Sequence, residues 1–576
     1  MVQDINPESA LTLKDAAEVK MVDEPVSAEL NMVDKYNATD TDATYRCKLA
    51  LEKKLDKKLI DFYWLLMEPL IFEVIVFIYL SGIRVDLEYL DTLEEKFHGR
   101  EGVPGEMQRI EAAWVEAMRK EMLESTALTA EMIIDIYKKD LKKFEETHGT
   151  PIPTDKAELL KHIELNINSP TKILKTYKAL GYLSSDAKSV DASVLKHLIK
   201  EKVASAELKA QYQPVAKLYT TYVKAIKDKQ IDGFIHCIFN TFFTTTGRLS
   251  SQDPNMQNIP ANNTIKNIFV PRPGYSFLDY DYSQAELRVV AEVAQEKTFI
   301  DAYINDRDIH WEMTMKMFNI TFPYRAEKSV FKHVQELAKF LGLTLDPMFT
   351  EENWAGYLAK NKEKQFDFEG DTLKVLDTIQ KWDKYRNNAK TLNFSILYGS
   401  SEYGLARNIY KDTYDYVTET KRKEYLAECK DLLESWFKAV PNIKKWLEDN
   451  FAFAKKHGYV ETMFGRRRYL VFSGSNYWKF QNSARREAGN TPIQSTASDI
   501  CCLAAIEFQR FINHPENRAD GCRIVNIVHD NILAEVPDEK AEYYAKALKE
   551  IMEHKVNPLK LVPLKVDGKI TKRWDK

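Results

Sequence analysis

From Val33 to Leu65 apolar residues recur at spacings of three and four, the repeat of a helix with one apolar face. Residues 1–30 before it are polar, lack the apolar centre of a signal peptide, and are expected to be poorly ordered. The most apolar run, Pro69 to Leu80, is too short to span a bilayer and carries Glu73, so it is expected to be a buried segment. Gly82 closes that segment, and SGIRVD leads into another helix. Residues 97–165 are charged and helix-rich, broken by HGTPIP near Pro151, and a turn cluster from Asn166 caps a further helix. The pattern changes near Asp232. GFIHCIFNTFFTTTG is rich in β-branched and aromatic residues, YSFLDYDYS reads as a short strand, and QAELRVVAEVAQ reads as a helix. Long helices follow to about Arg510, where RIVNIVHDNILAEVP sets two apolar runs about His529, Asp530 and Asn531 as a β-hairpin. The plan is a helical first half, then a sheet whose strands are separated by a long helical insertion.

Composition narrows the class. The 576 residues are 44% hydrophobic, enough for a large core, and 82 Lys+Arg against 86 Asp+Glu leave a net charge of −4. That balance excludes a polybasic or wholly disordered chain, yet a basic cleft under an acidic exterior remains compatible with it. Six cysteines without a C-x-x-C pair give neither a disulfide scaffold nor a cysteine zinc site, and suit a reducing cytosol.

Four segments carry chemistry. Asp281 ends a strand just before a helix, and Asp530 sits at the hairpin tip. Two strand-end carboxylates in one sheet could hold a pair of divalent cations for phosphoryl transfer, although Asp is also a common turn and cap residue. Asp279, two residues earlier on the same strand face, is a rival to Asp281. In RNNAKTLNFSILYG, Arg386, Lys390, Phe394 and Tyr398 recur every four residues, so a helix would present two cations and then two aromatics in one stripe. Such a stripe suits a triphosphate and a base, or equally a solvated first turn and a core-facing last one. TTTGRLSSQDPNMQNIP from Thr244 offers Arg248 and several amides to a groove or phosphate surface. The run Arg466, Arg467, Arg468, followed by SARREAGNTPIQST, reads as a nucleic-acid track or a solvated charged turn; Pro492 is expected to end or kink the helix carrying Arg486 and Asn490.

In their order along the chain, TGRLSSQDPNMQNIP, DYSQAELR, RNNAKTLNFSILYG, GNTPIQSTASD and VHDNILAEVP resemble the signature segments of family A DNA polymerases, the group of bacterial DNA polymerase I and several phage replicases. The resemblance covers roughly Glu68 to the C-terminus. It implies an α+β right hand of thumb, palm and fingers, two magnesium ions, primer–template DNA and deoxynucleoside triphosphates as partners, and template-directed nucleotide addition in the cytoplasm, without a membrane. By position, Asp281 and Asp530 would hold the metals with the backbone carbonyl of Tyr282. Arg386 and Lys390 would bind the triphosphate, Phe394 would lie against the incoming sugar and base, Tyr398 by the template base, and Gln284 and His310 would complete the nucleotide site. Arg248 and Gln494 would read the minor groove at the primer end, while Arg486, Asn490 and His529 would position template and primer. Glu286 would exclude the ribose 2′-hydroxyl; locally, Ser283 and Glu286 also form an S-x-x-E capping box. The implied division is an exonuclease remnant at 1–60, palm base and thumb at 61–230, palm at 231–310, fingers at 311–440, and a fingers/palm part at 441–576.

Departures qualify the resemblance. The family's His-Asp-Glu is here His529-Asp530-Asn531, so metal binding would rest on Asp281 and Asp530. Asp86 to Asn166 and His310 to Lys390 are each 80 residues apart, longer than usual, which implies thumb and fingers insertions; the first sits where some phage relatives carry a processivity-factor site. Near the N-terminus, Tyr36 and Asp40 match the last motif of the family's proofreading exonuclease, but the strands bearing the earlier motifs are missing. A chain without its own proofreading is therefore expected, with an exonuclease chain supplied separately as one alternative. A single-subunit RNA polymerase and a degenerate DNA-binding scaffold are weaker alternatives, opposed by Glu286 and by the intact Asp281, Asp530 and Lys390.

Overall fold

The strands form where alternation places them. Tyr275–Tyr282 buries Phe277, Leu278, Tyr280 and Tyr282, and its neighbour Asn531–Pro537 is buried almost throughout. In the computed structural model, which describes residues 32–260, 263–360, 368–397, 399–411, 413–414, 417–472 and 477–575, these two strands are the centre of a four-stranded sheet. Its order is Arg523–Val528, Asn531–Pro537, Tyr275–Tyr282, Val566–Thr571. Arg523–Val528 and Asn531–Pro537 are the expected antiparallel hairpin, with a bulge between Ile524 and Asn526. Asn531–Pro537 then pairs antiparallel with Tyr275–Tyr282, Asn531 opposite Asp281 and Pro537 opposite Tyr275. Residues 1–30 lie outside the described residues.

Two compact units emerge. One comprises 1–81, 239–251 and 274–570; the other 82–238, 252–273 and 571–576. In the second, seven helices between Glu106 and Lys217 enclose one apolar core of Trp114, Met118, Leu141, Tyr177, Leu195 and their neighbours. The stretch past Asp86 is thus a packed helical body rather than a loop, and Asp86 caps the helix Leu87–His98 through the Tyr89 amide.

In the first unit the sheet is backed by the 37-residue helix Tyr477–Asn513, which also packs against Ala285–Ala294 and Pro441–His457. Of the two outcomes expected at Pro492, ending is not the one found: the helix runs through it. Proline cannot donate to the carbonyl of Ala488, one turn back. The Asn450 side-chain amide donates to that carbonyl instead, so the orphaned acceptor is satisfied and the helix runs on.

The apolar run Pro69–Leu80 corrects a second expectation. It belongs to a 25-residue helical run, Lys57–Ser81, long and apolar enough by length and composition to cross a membrane. Only one face is buried: Leu66, Leu70, Val74 and Ile78 pack inward, while Phe72 and Leu80 are 59% and 66% exposed. A strict four-residue repeat drifts around a 3.6-residue helix. Wider π turns over Tyr63–Met67 and Leu70–Ile75 slow that drift and keep the stripe on one side. Glu73 pairs with Arg510 of the long helix.

A separate core lies between Ile320 and Trp382, where Val334, Leu337, Phe349, Trp354, Val375 and Ile379 pack together. This is the surplus stretch before Lys390, and its last helix, Gly370–Leu397, continues into the Arg386–Phe394 stripe.

Candidate active site

The hairpin tip and the strand end meet. Asn531 lies opposite Asp281, and the Tyr282 amide donates to the Asp530 carbonyl at 3.1 Å, which locks the tip against the strand. The turn needs His529 at φ 56°, the left-handed region that a two-residue hairpin turn demands. Asp281 and Asp279 share one face of the strand and Tyr282 points to the other, where its hydroxyl donates to the Met552 carbonyl. Asp281 is exposed. Asp530 is not: its Oδ1 is buried without a hydrogen bond, and burial pushes the carboxyl up to about 6, with Glu286 and Asp281 adding to the rise and Arg248 opposing it. The neighbouring Asn531 Oδ1 is likewise a buried acceptor without a partner, while its Nδ2 donates to Asp279 Oδ1 at 2.5 Å. Among the described residues no group of three or more His, Cys, Asp or Glu side chains forms a ready metal cage. The donor set nevertheless fits a cation: two unsatisfied acceptor oxygens beside mutually repelling carboxylates are the arrangement that a divalent ion relieves.

Glu286 draws the next residues in. Arg248 Nη2 donates to Glu286 Oε1 at 2.6 Å, and Gln494 Nε2 approaches the same oxygen at 3.4 Å. The capping box is not formed: the helix Ala285–Ala294 is preceded by Gln284 at φ 55° with no side-chain cap. Glu286 turns to Arg248 because a buried carboxylate gains more from a guanidinium than from a cap. Gln284 instead accepts from the Tyr303 hydroxyl at 3.0 Å. His529 is exposed, and partial desolvation and Arg248 lower its pKa. Asn490 has a buried Oδ1 without a partner, and Arg486 is exposed, its stem packed against Gly399, where a Cβ would lie 2.5 Å from Arg486 Cγ.

The arginine run spends its charges within the protein. Arg466 binds the fully buried Asp499 at 2.8 Å, Arg467 binds Glu461 and Asp56, and Arg468 binds Glu487 and Thr491. Each charge is consumed by an acid brought in by the fold, which three adjacent letters cannot reveal. Arg466 has a further consequence, missed in the sequence. Its guanidinium occupies the space that a Cβ on Gly247 would fill, and Ser498 donates to the Gly247 carbonyl, so the Arg466–Asp499 pair seats the loop that carries Arg248. The signal available was Asp499, an acid within an otherwise small and uncharged helix stretch.

A second cluster forms along the helix Gly370–Leu397. Arg386 binds Asp308 at 2.7 Å, and Asp308 also caps the helix Ile309–Phe318 through the His310 and Trp311 amides. Burial drives His310 down to about 4, with Arg386 and Lys390 pushing the same way and Asp308 against them. The ring is therefore neutral near pH 7, and the Asn393 amide donates to its Nδ1 at 2.9 Å. Asn393 in turn accepts from Trp436 at 2.6 Å. Phe394 stacks obliquely on His310 at 5.7 Å, and Lys390 is exposed on the same stripe. Arg386, Lys390, Phe394 and His310 are thus brought together; Tyr398 lies outside the described residues. Tyr36 and Asp40 fall in the helix Met32–Lys54, but their side chains also lie outside the described residues.

Comparison with known proteins gives a consistent set of likenesses. The model for DNA polymerase family A matches residues 138–334 and 371–576. DNA polymerase I of Chloroflexus aurantiacus is 28% identical over 556 residues, covering 94% of this chain and 46% of the relative. The thermostable DNA polymerase I of Thermus aquaticus is 29% identical over 473 residues, 81% of this chain and 45% of the relative. DNA polymerase I of Lactococcus lactis is 30% identical over 421 residues, 71% and 40%. The chain therefore spans about half the length of these relatives. Among solved structures, the polymerase domain of Pol1 from M. smegmatis, in complex with DNA primer–template and dNTP, has the same fold, with a TM-score of 0.57 at 23% identity over 88% of this chain and 70% of that one.

Proposed function

Because the chain belongs to DNA polymerase family A, we propose that it is a template-directed DNA polymerase that extends a primer 3′ end with deoxynucleotides. The observation that carries this reading is the meeting of Asp281 and Asp530 across the strand pair, with an unsatisfied buried oxygen on Asp530. Asp281, Asp530 and the Tyr282 carbonyl would hold two magnesium ions, which when bound supply positive charge to the attacking and leaving oxygens of phosphoryl transfer. Lys390 and Arg386 lie along one stripe where a triphosphate would meet fixed charge, and Arg386 would exchange Asp308 for phosphate oxygens. Neutral His310, buttressed by Asn393, holds Phe394 in place for the sugar and base. Gln284 would border the nucleotide and Tyr398 the template base. Arg248 and Gln494 converge on Glu286, so the groups assigned to the primer minor groove and the group assigned to the ribose 2′ position share one oxygen. Arg486, Asn490 and His529 would guide template and primer.

Primer–template DNA and dNTPs are the partners on this reading. The assigned division into palm, thumb and fingers, with inserts in the latter two, is part of the same proposal, as are cytoplasmic location and the absence of proofreading by this chain, with a separate exonuclease or processivity chain as the associated alternative. Primer extension with magnesium tests it. Asp281→Asn and Asp530→Asn are each expected to abolish extension while leaving primer–template binding largely intact, since affinity comes mainly from phosphate contacts. Extension at near wild-type rates by either variant would overturn the assignment. The same reactions without dNTPs are expected to leave mismatched 3′ ends intact; shortening by the chain alone would overturn the absence of proofreading.

A further inference from the structure

We propose that Asp279 is a positioning residue of the nucleotidyl-transfer site and that Asn531 is its tether; this rests on the polymerase reading above. Asp279 and Asp281 alternate on one strand, so both carboxylates stand on the same face, roughly 6.6 Å apart along the chain. Asn531 lies opposite Asp281, yet its side chain reaches diagonally to Asp279, donating Nδ2–H to Oδ1 at 2.5 Å. Only a side chain with a donor can do this. A carboxylate at 531 would put two negative charges in contact. The uncharged residue at the hairpin's third position therefore does not leave the site with two acids: a third is held on the adjacent strand.

Nothing in the strand itself explains an aspartate at 279. Asp is a poor strand former, and the residue directly opposite is Leu533, fully buried. The tether also leaves a signature. Asn531 Oδ1 is a buried acceptor with no partner, as is Oδ1 of the adjacent Asp530. An unpartnered amide oxygen beside an unpartnered carboxylate oxygen costs free energy unless a cation is coordinated by them or its bound water donates to both. Asp279 thus adds negative charge beside Asp281, and Asn531 fixes its direction, as the outer partners of metal ligands do.

The test measures the metal requirement rather than activity alone. Mn2+ affinity is read by electron paramagnetic resonance in a complex of the protein, dideoxy-terminated primer–template and matching dNTP. Beside it stands the Mg2+ concentration for half-maximal single-turnover extension. Asp279→Asn, which keeps shape and removes charge, is expected to weaken Mn2+ binding and raise the Mg2+ requirement by about tenfold. Primer–template affinity and melting temperature should hold. Asn531→Ala should act in the same direction and less strongly, which secures the test if Asp279→Asn folds poorly. The reciprocal exchange, Asp279→Asn with Asn531→Asp, restores one carboxylate and one amide and should recover most of the loss. Metal requirements within twofold of wild type in both single variants would overturn the proposal, as would a reciprocal exchange no better than Asp279→Asn. If Asp281→Asn is inactive while Asp279→Asn matches wild type, only this inference falls; if Asp281→Asn is itself active, the polymerase reading of the site falls first.

Discussion

Glu286 is the residue on which most of the site's electrostatics turn. Its carboxylate takes Arg248, meets Gln494, and raises the pKa of Asp530. Two substitutions separate these duties. Glu286→Ala removes bulk from the position assigned to the 2′-hydroxyl, so ribonucleotide incorporation should rise roughly tenfold or more relative to deoxyribonucleotide, read as a ratio of kcat/KM. Unchanged discrimination would leave Glu286 as the anchor of Arg248 alone. Glu286→Gln keeps bulk and removes charge. Asp530, near 6 in the metal-free site, must lose its proton to bind a cation, so magnesium-dependent extension should fall as pH drops through that range. Taking away a negative neighbour lowers the Asp530 pKa, and the acid limb should move to lower pH in Glu286→Gln. A limb that stays in place would mean that Asp530 does not set it.

At the scale of elements, legibility followed the nature of the signal. The strand at Tyr275–Tyr282 and the hairpin at Arg523–Pro537 were readable because alternation and a two-residue turn are local. The Arg386–Phe394 stripe was readable as a candidate because its spacing sits within one helix, and Asp281 and Asp530 because each marks the end or tip of its own strand element. Pairings across elements were not: the acids that absorb Arg466, Arg467 and Arg468 lie up to 411 residues away, and the apolar run within Lys57–Ser81 does not show which of its side chains face out. Pro492 shows the limit most plainly, since its effect depends on Asn450. Asn450→Ala leaves the Ala488 carbonyl without a donor and should lower stability by about 1–3 kcal/mol in denaturant unfolding. In a Pro492→Ala background the restored amide can take over, so the same change should cost less. Equal costs in both backgrounds would sever Asn450 from the proline.

The whole molecule sets the terms on which it would meet DNA. One stretch that the family match leaves out lies within a core of its own. The family match breaks between residues 334 and 371, within the stretch where Val334, Leu337, Phe349, Trp354 and Val375 pack together. Length alone announced that surplus; the packing is what makes it a body. Net charge is −4, so attraction to DNA cannot come from the overall field and must come from local cations left exposed by the fold. Arg486 and Lys390 are exposed, whereas Arg467 is mostly covered and bound to Glu461 and Asp56. A cation that neutralises a phosphate releases a counterion, and each such contact adds about 0.9 to the slope of log affinity against log salt. Primer–template affinity should therefore fall steeply with potassium chloride. Arg486→Ala should weaken binding and make the slope shallower by about one. Arg467→Ala should leave the slope unchanged and lower the melting temperature, because its charge is spent within the protein. Fluorescence anisotropy titrations across a salt series decide it. A slope that changes for Arg467→Ala and not for Arg486→Ala would show that the arginine run, despite its internal pairs, is the DNA track after all.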